Sequence, residues 1–249
     1  MPVMPAAPAA AVEAREDADV ESSSEQYARR FAGPVGAFFL EAQARATLVA
    51  LRPWPGARVL DVGGGHAQTA GPLVAAGYEL TVYGSTPVCA ARLKPWLQAG
   101  QARFEHGDLL ALPFADRSFD AVLCYRLLPH VGHWPELLAE LCRVAGRAVV
   151  VDYPTRRSVN AVAEAFFGLK KRVEGDTRPY TVFDDAEVEG ALRAHGFAPS
   201  GRFAQFFWPM ALHRALRSAG LARALEGLAA ALTRTRRFGS PVILRAERG

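Results

Sequence analysis

Residues 59 to 73 read VLDVGGGHAQTAGPL. Asp61 closes a run of β-type residues, Gly63, Gly64 and Gly65 follow, and a helical pattern comes next. Consecutive glycines let a ligand approach the backbone, and the first turn of a helix offers unpaired amides. A strand, a glycine turn and a helix therefore describe a nucleotide-type site. Proton transfer near neutral pH points to histidine. His130 and His133 follow the strand-like run SFDAVLCY and are the candidates, with helix capping or packing against Trp134 as the competing reading of each. His66, inside the glycine loop, is expected to touch ligand or solvent without moving a proton. No HxxxH, HExxH or carboxylate cluster calls for a metal. Cys89, Cys124 and Cys142 lie far apart with no CxxC spacing, which predicts reduced thiols and a cytoplasmic setting.

The elements that position these residues alternate. Strands are predicted at ARVLDV, YELTVYG, QARFEH, SFDAVLCY and RAVVVDY. Helices are predicted over 68–76, 87–97, 135–144 and 158–172, and another follows a capping box of Asp184 and Glu187. Leu137, Leu138, Leu141 and Val144 form one stripe behind Pro135. This alternation predicts an α/β fold with a doubly wound, mostly parallel sheet, which binds ligands at the carboxyl ends of its strands.

A dinucleotide would require G-x-G-x-x-G and an acidic residue after the second strand. Gln68 stands at the third glycine, and Gly84 and Ser85 stand where the acid belongs, so that reading fails. VLDVGGGHA instead resembles the first motif of the class I S-adenosylmethionine-dependent methyltransferases, with Ala67 at the last glycine. FEHGDLLALPFADRSFDAVLCYRLLPHV (104–131) and ELLAELCRVAGRAVVVDYP (136–154) resemble the family's next blocks, in order, over about 100 residues. The resemblance implies a Rossmann-like seven-stranded sheet with an antiparallel C-terminal strand, and S-adenosyl-L-methionine as cofactor. By position it implies that Asp61 and the backbone of Gly63, Gly64 and Gly65 hold the methionine moiety and border the ribose. Asp108 would accept from the adenine amino group, with the Leu109 amide near the ring, and Tyr125 and Arg126 would line the methyl-donor cavity. Tyr27 or Arg30 could close over the methionine carboxylate, and Arg178 and Tyr180 could reach the acceptor; surface charge and packing compete for all four.

Many relatives carry at the position of Gly84 an acid that takes both ribose hydroxyls. Ser85 offers one hydroxyl and its amide, so either Ser85 and water hold the ribose or the site has decayed. On the first reading, Gly84→Asp leaves cofactor binding unchanged or tighter. The activity implied is methyl transfer to a small-molecule acceptor, at oxygen by preference, with nitrogen and carbon open. The alternative is a non-catalytic cofactor-binding or scaffolding protein. YRLLPHV stands where amino-methylating nucleic-acid enzymes carry an Asn-Pro-Pro-Tyr-like tetrapeptide, so no nucleic-acid acceptor is expected.

The 249 residues, half of them hydrophobic, carry a net charge of +4 that is unevenly spread. Residues 1–24, rich in Ala, Pro, Ser and acids, are predicted to be a disordered tail ahead of a domain spanning 25–249, whose residues 25–56 form a helical cap. Neither a secretory signal nor an apolar run long enough to span a membrane is read. Between two final strands placed near 202–208 and 240–247, residues 206–238 alternate leucine with arginine at near-helical spacing. Helices covering the acceptor, a surface for a membrane or lipid-like substrate, and a homodimer contact are the three readings of this insertion.

Overall fold

The computed structural model describes residues 16–158, 180–232 and 234–249. Seven strands form one sheet: β1 (Arg58–Val62), β2 (Glu79–Gly84), β3 (Ala102–His106), β4 (Phe119–Cys124), β5 (Ala145–Tyr153), β6 (Phe197–Phe206) and β7 (Ser240–Arg248). Their order across the sheet is β3-β2-β1-β4-β5-β7-β6. The pairs among β1 to β5 are parallel, and β7 runs antiparallel to both β5 and β6. The chain reverses strand order between β1 and β4, so the switch point of the sheet falls beside the glycine loop that follows β1, where such folds open a crevice.

The central strands are buried on both faces, which is why their sequences read as continuous apolar runs. On one face, α6 (Trp134–Val144) presses Leu137, Leu138, Leu141 and Val144 into the core. All four are fully buried, each contributing roughly 1.5–3 kcal/mol of transfer free energy. On the other face, α3 (Gly33–Leu51) contributes Ala46, Ala50 and Leu51. The predicted capping box is present at α7 (Asp185–Ala194), where the Glu187 carboxylate accepts the Asp184 amide at 2.7 Å.

Several expectations are corrected. The tail does not extend to residue 24. Residues 18–22 form a helical turn, α1 (Ala18–Ser22), followed by α2 (Glu25–Ala28), and Asp19, Ser22 and Ser23 are buried. The apolar contacts of α1 are few, so no periodicity announced it; it is held by polar side chains. The helix predicted over 87–97 is a 3₁₀ segment, Pro87–Leu93, followed by α5 (Lys94–Gln98), because Pro95 lacks the amide that would continue an α-helical ladder. The first of the two final strands begins at Phe197, five residues earlier than predicted. Most of the helix predicted over 158–172 lies outside the described residues.

The insertion is helical: α8 (Met210–Leu216), α9 (Ala219–Ala231) and α10 (Arg234–Phe238). It meets the cap through a small aromatic core in which Phe31, Val35, Phe38 and Phe39 pack with Phe206 and Ala222. Within it, the buried Glu226 of α9 accepts the amides of Phe207 (2.9 Å) and Trp208 (3.0 Å) and lies 2.9 Å from the His213 Nε2. One carboxylate thus ties the end of β6 to two helices.

Candidate functional site

The glycine loop follows β1 directly. Gly63 adopts φ +76°, and its amide donates to the Tyr83 carbonyl at 2.8 Å, locking the loop to β2. A Cβ on Gly63 would meet the Leu127 side chain at 2.8 Å, and one on Gly64 would meet the Asp61 carboxyl at 2.4 Å. On Gly65 it would lie 2.2 Å from the Ser23 Oγ and 2.6 Å from the Cys89 carbonyl oxygen. All three glycines are therefore needed, for one left-handed turn and for close approach on three sides. Ala67, at the motif's last glycine, accepts φ +60°, a conformation that costs a side-chain-bearing residue roughly 1–2 kcal/mol.

Asp61 is fully buried. Its Oδ2 accepts the Thr69 hydroxyl in a very short bond, and its Oδ1 has no hydrogen-bond partner. Burial pushes its carboxyl up to about 7; the Thr69 bond opposes that rise, and the nearby Asp152 carboxylate adds to it. Asp152 is the penultimate residue of β5, as Asp61 is of β1, and its Oδ1 accepts the Arg126 amide at 2.6 Å. Burial raises it to about 6, against the favourable field of Arg126. His66 is also buried, and burial followed by the fields of Arg126 and Arg92 depresses it to about 3, so it is neutral. Its Nδ1 accepts the Gln68 amide at 3.1 Å, which places the proton on Nε2, an unpartnered buried donor.

The other predicted residues fall in distinct places. Ser85 is buried, its amide donating to Asp19 Oδ2 at 2.8 Å while its Oγ has no partner. Asp108 is at the exposed end of the crevice beyond β3, its Oδ1 accepting the Leu110 amide at 2.9 Å, and the Leu109 side chain fills the core. Tyr125 is directed into the core against α3, its hydroxyl 3.0 Å from Thr47 Oγ1, so its phenol is committed to packing. Arg126 has φ +59°, bonds the Gln43 side chain and lies 4.2 Å over the Phe31 ring, which couples the end of β4 to the cap. Tyr27 meets the Phe31 ring at a tilt with centroids 5.7 Å apart, and Arg30 lies 4.9 Å over the Tyr27 ring while pairing with Glu21. His130 meets Tyr180 ring to ring at 5.4 Å. The His133 side chain, just before α6, is 68% exposed and lies 3.8 Å from Glu136. Arg178 lies outside the described residues.

Asp61, Gly63, Gly64, Gly65 and Ser85 thus gather at one crevice, with Arg126 at its cap side and Asp108 at its far end. Sequence reasoning missed Asp19, Thr69, Asp152 and Gln43. Asp152 carried a signal, an acid closing an apolar strand as Asp61 does; Asp19 carried none. The expectation for Gly84→Asp is also revised. A Cβ there would meet the Cys89 Cβ at 2.7 Å and the Asp19 carboxylate at 3.2 Å, so an aspartate at 84 is crowded and faces a like charge. Among the described residues no group of His, Cys, Asp and Glu is arranged to hold a metal ion, and no helix is long and apolar enough to cross a membrane. A cavity of about 500 Å³ lies between the cap and the insertion, lined by Arg29, Arg30, Val35, Arg214 and Arg217.

Fold and crevice together define a doubly wound α/β protein with a glycine-loop site for a nucleoside-bearing ligand. Residues 60–148 match the family model described as a methyltransferase domain. The chain is 36% identical over 162 residues to a demethylmenaquinone methyltransferase of Deinococcus radiodurans, covering 56% of this chain and 67% of that protein. It is 30% identical over 201 residues to the demethylmenaquinone methyltransferase of Clavibacter sepedonicus, covering 70% and 79%. In structure it is similar to magnesium protoporphyrin IX methyltransferase of Synechocystis with bound S-adenosylhomocysteine. That match has a TM-score of 0.63 at 18% identity and covers 90% of this chain and 94% of that one. The chain belongs to the class I S-adenosylmethionine-dependent methyltransferases. It is a methyltransferase enzyme whose cofactor is S-adenosylmethionine.

The crevice fits that cofactor. Four buried polar atoms without partners, Asp61 Oδ1, His66 Nε2, Ser85 Oγ and Asp19 Oδ1, collect where β1 and β2 end. Such atoms are costly unless a ligand satisfies them.

Proposed function

We propose that this enzyme methylates a small hydroxylated aromatic acceptor of the quinol class, at the hydroxyl oxygen. The observation that carries the acceptor class is the similarity to two demethylmenaquinone methyltransferases, one of them over 201 residues, while the choice of oxygen rests on His130 as a base for the acceptor hydroxyl. When bound, the cofactor supplies an electrophilic methyl group on a sulfonium whose sulfur departs as a neutral thioether. Asp61 and the amides of Gly63 to Gly65 bind its methionine end; Asp108 and the Leu109 amide bind its adenine. Asp152 orients Arg126 through the backbone, and Arg126, held also by Gln43 and the Phe31 ring, closes the acceptor side with Tyr27 and Arg30. The aromatic cluster of cap and insertion excludes water from the crevice, which favours alignment of donor and acceptor. His130 takes the proton of the acceptor hydroxyl, and Tyr180 orients the imidazole through their ring contact. Leu221, Leu228 and Leu232, exposed on and just after α9, suit an acceptor with an apolar tail presented from a lipid surface.

The test is incubation with S-adenosylmethionine and a reduced prenylated naphthoquinol, followed by mass spectrometry and NMR of the product. A product heavier by one methylene unit, with the new methyl on oxygen, is expected. A methyl on ring carbon would overturn the assignment of the atom, and absence of turnover across quinols would overturn the acceptor class. His130→Asn is expected to lower kcat by 10²-fold or more and to remove the acid limb of the pH–rate profile, with S-adenosylhomocysteine affinity unchanged. An unaltered profile would remove His130 from proton transfer.

A further inference from the structure

Within the cofactor crevice just established, we propose that Asp19, delivered by the N-terminal helix α1, is the carboxylate that binds the cofactor's ribose hydroxyls in place of the acid missing at Gly84. Asp19 is fully buried. Its Oδ2 accepts the Ser85 amide at 2.8 Å and lies 3.3 Å from the Cys89 thiol. A Cβ on Gly84 would lie 3.2 Å from the same oxygen. The carboxylate of Asp19 therefore occupies the place that an acidic side chain leaving the end of β2 would reach, although it comes from a residue 65 positions earlier in the chain.

Two further features point to a ligand. Asp19 Oδ1 and its neighbour Ser85 Oγ are both buried without partners. A carboxylate out of water with one oxygen unpaired is strongly disfavoured, and two hydroxyl donors would relieve it. A carboxylate oxygen beside a serine hydroxyl is the complement of a cis-diol, one accepting while the other accepts or donates. The segment carrying Asp19 is pinned on both sides. Glu16 accepts the Gly132 amide at 3.0 Å, Ser23 Oγ donates to the Asp19 carbonyl at 2.7 Å, and Glu25 pairs with Arg92 at 2.6 Å. Residues 16 to 25 thus lie as a strap from the loop after β4 to the segment after β2, with Asp19 at its midpoint. Gly84 is then a requirement of this arrangement, since a side chain there would collide with Cys89 and crowd the Asp19 carboxylate.

The experiment is calorimetric titration of the full chain and of Asp19→Asn with two ligands, S-adenosylhomocysteine and its 2′,3′-dideoxy analogue. Thermal melting checks that each protein is folded, and Asp19→Ser serves as a second variant. The wild-type titration with S-adenosylhomocysteine stands by itself as the check on the cofactor. Asp19→Asn is expected to weaken S-adenosylhomocysteine about 10- to 100-fold, the loss of charge-assisted bonds, and to leave the dideoxy analogue within about threefold. Equal weakening of both ligands would mean that Asp19 only holds the strap in place, and would overturn the proposal. Tighter binding of S-adenosylhomocysteine by the variant would also overturn it, by showing that α1 competes with the cofactor for the crevice.

Discussion

Asp61→Asn is expected to stabilise the ligand-free enzyme above neutral pH while weakening S-adenosylhomocysteine 10²-fold or more. Both effects have one cause. Asp61 is buried beside Asp152, and its carboxyl is raised from 3.8 to about 7. In the unfolded chain the same group has the ordinary value. Between pH 4 and 7 the folded protein therefore binds a proton that the unfolded chain has lost, so stability falls as pH rises through that window. The contribution is fully present below pH 4 and gone above pH 7. A shift of that size corresponds to roughly 4 kcal/mol, of which an isosteric amide should recover about 1–2 kcal/mol because its own NH₂ must find a partner. Melting temperature at pH 8 should rise by roughly 2–8 °C, and the gain should vanish at pH 4. The Oδ1 of Asp61 has no partner, and on the proposed reading it accepts from the cofactor's ammonium, so the stability gained should be affinity lost. Since the ammonium favours the ionised carboxylate, wild-type binding near pH 6.5 should release protons. Titrations in buffers of different ionisation enthalpy measure that release, and proton uptake would contradict the assignment.

Glu226→Ala should have the largest effect on stability. The carboxylate satisfies the Phe207 and Trp208 amides and the His213 imidazole nitrogen, with the Thr235 hydroxyl at 3.4 Å, and it is buried on the inner side of α9. Truncation leaves buried donors unpaired, at about 3–5 kcal/mol in total by the behaviour of broken buried charge networks. The cost should be local, because β6 is paired to β7 over its length while α8 and α9 meet the body mainly through the small aromatic cluster. Hydrogen exchange should therefore accelerate by 10²-fold or more over 207–231 and little in β1 and β4. Exchange that rises uniformly across the sheet would show that the insertion is part of the global folding unit. Activity toward an apolar acceptor should fall with the loss of local order, while S-adenosylhomocysteine binding persists.

The alternation of apolar strands and helical stripes determined the sheet, because strands buried on both faces must be apolar throughout and α6 must present one stripe to them. The glycines after Asp61 determined the site's position, since a left-handed turn at Gly63 and contacts too close for a Cβ at Gly64 and Gly65 admit no other residue. Blocks 104–131 and 136–154, resembling the family's in order, gave the cofactor. These are local properties, written in consecutive residues.

Tertiary structure decided what depends on distant segments meeting. Asp19 reaches Ser85 because the strap is pinned at Glu16 and Glu25, and the polar groups that fasten it leave no hydrophobic period to read. Tyr125 and Arg126 follow β4 and both reach α3, Tyr125 at Thr47 and Arg126, through a left-handed turn (φ +59°), at Gln43 one turn earlier; only the position of α3 shows that the phenol is committed to the core. The exposure of His133 beside Glu136 likewise appears only once α6 is in place. Burial raises Asp61, and the carboxylate that adds to that rise is Asp152, 91 residues away in sequence and two strands across the sheet; only the strand order brings the two into the same crevice.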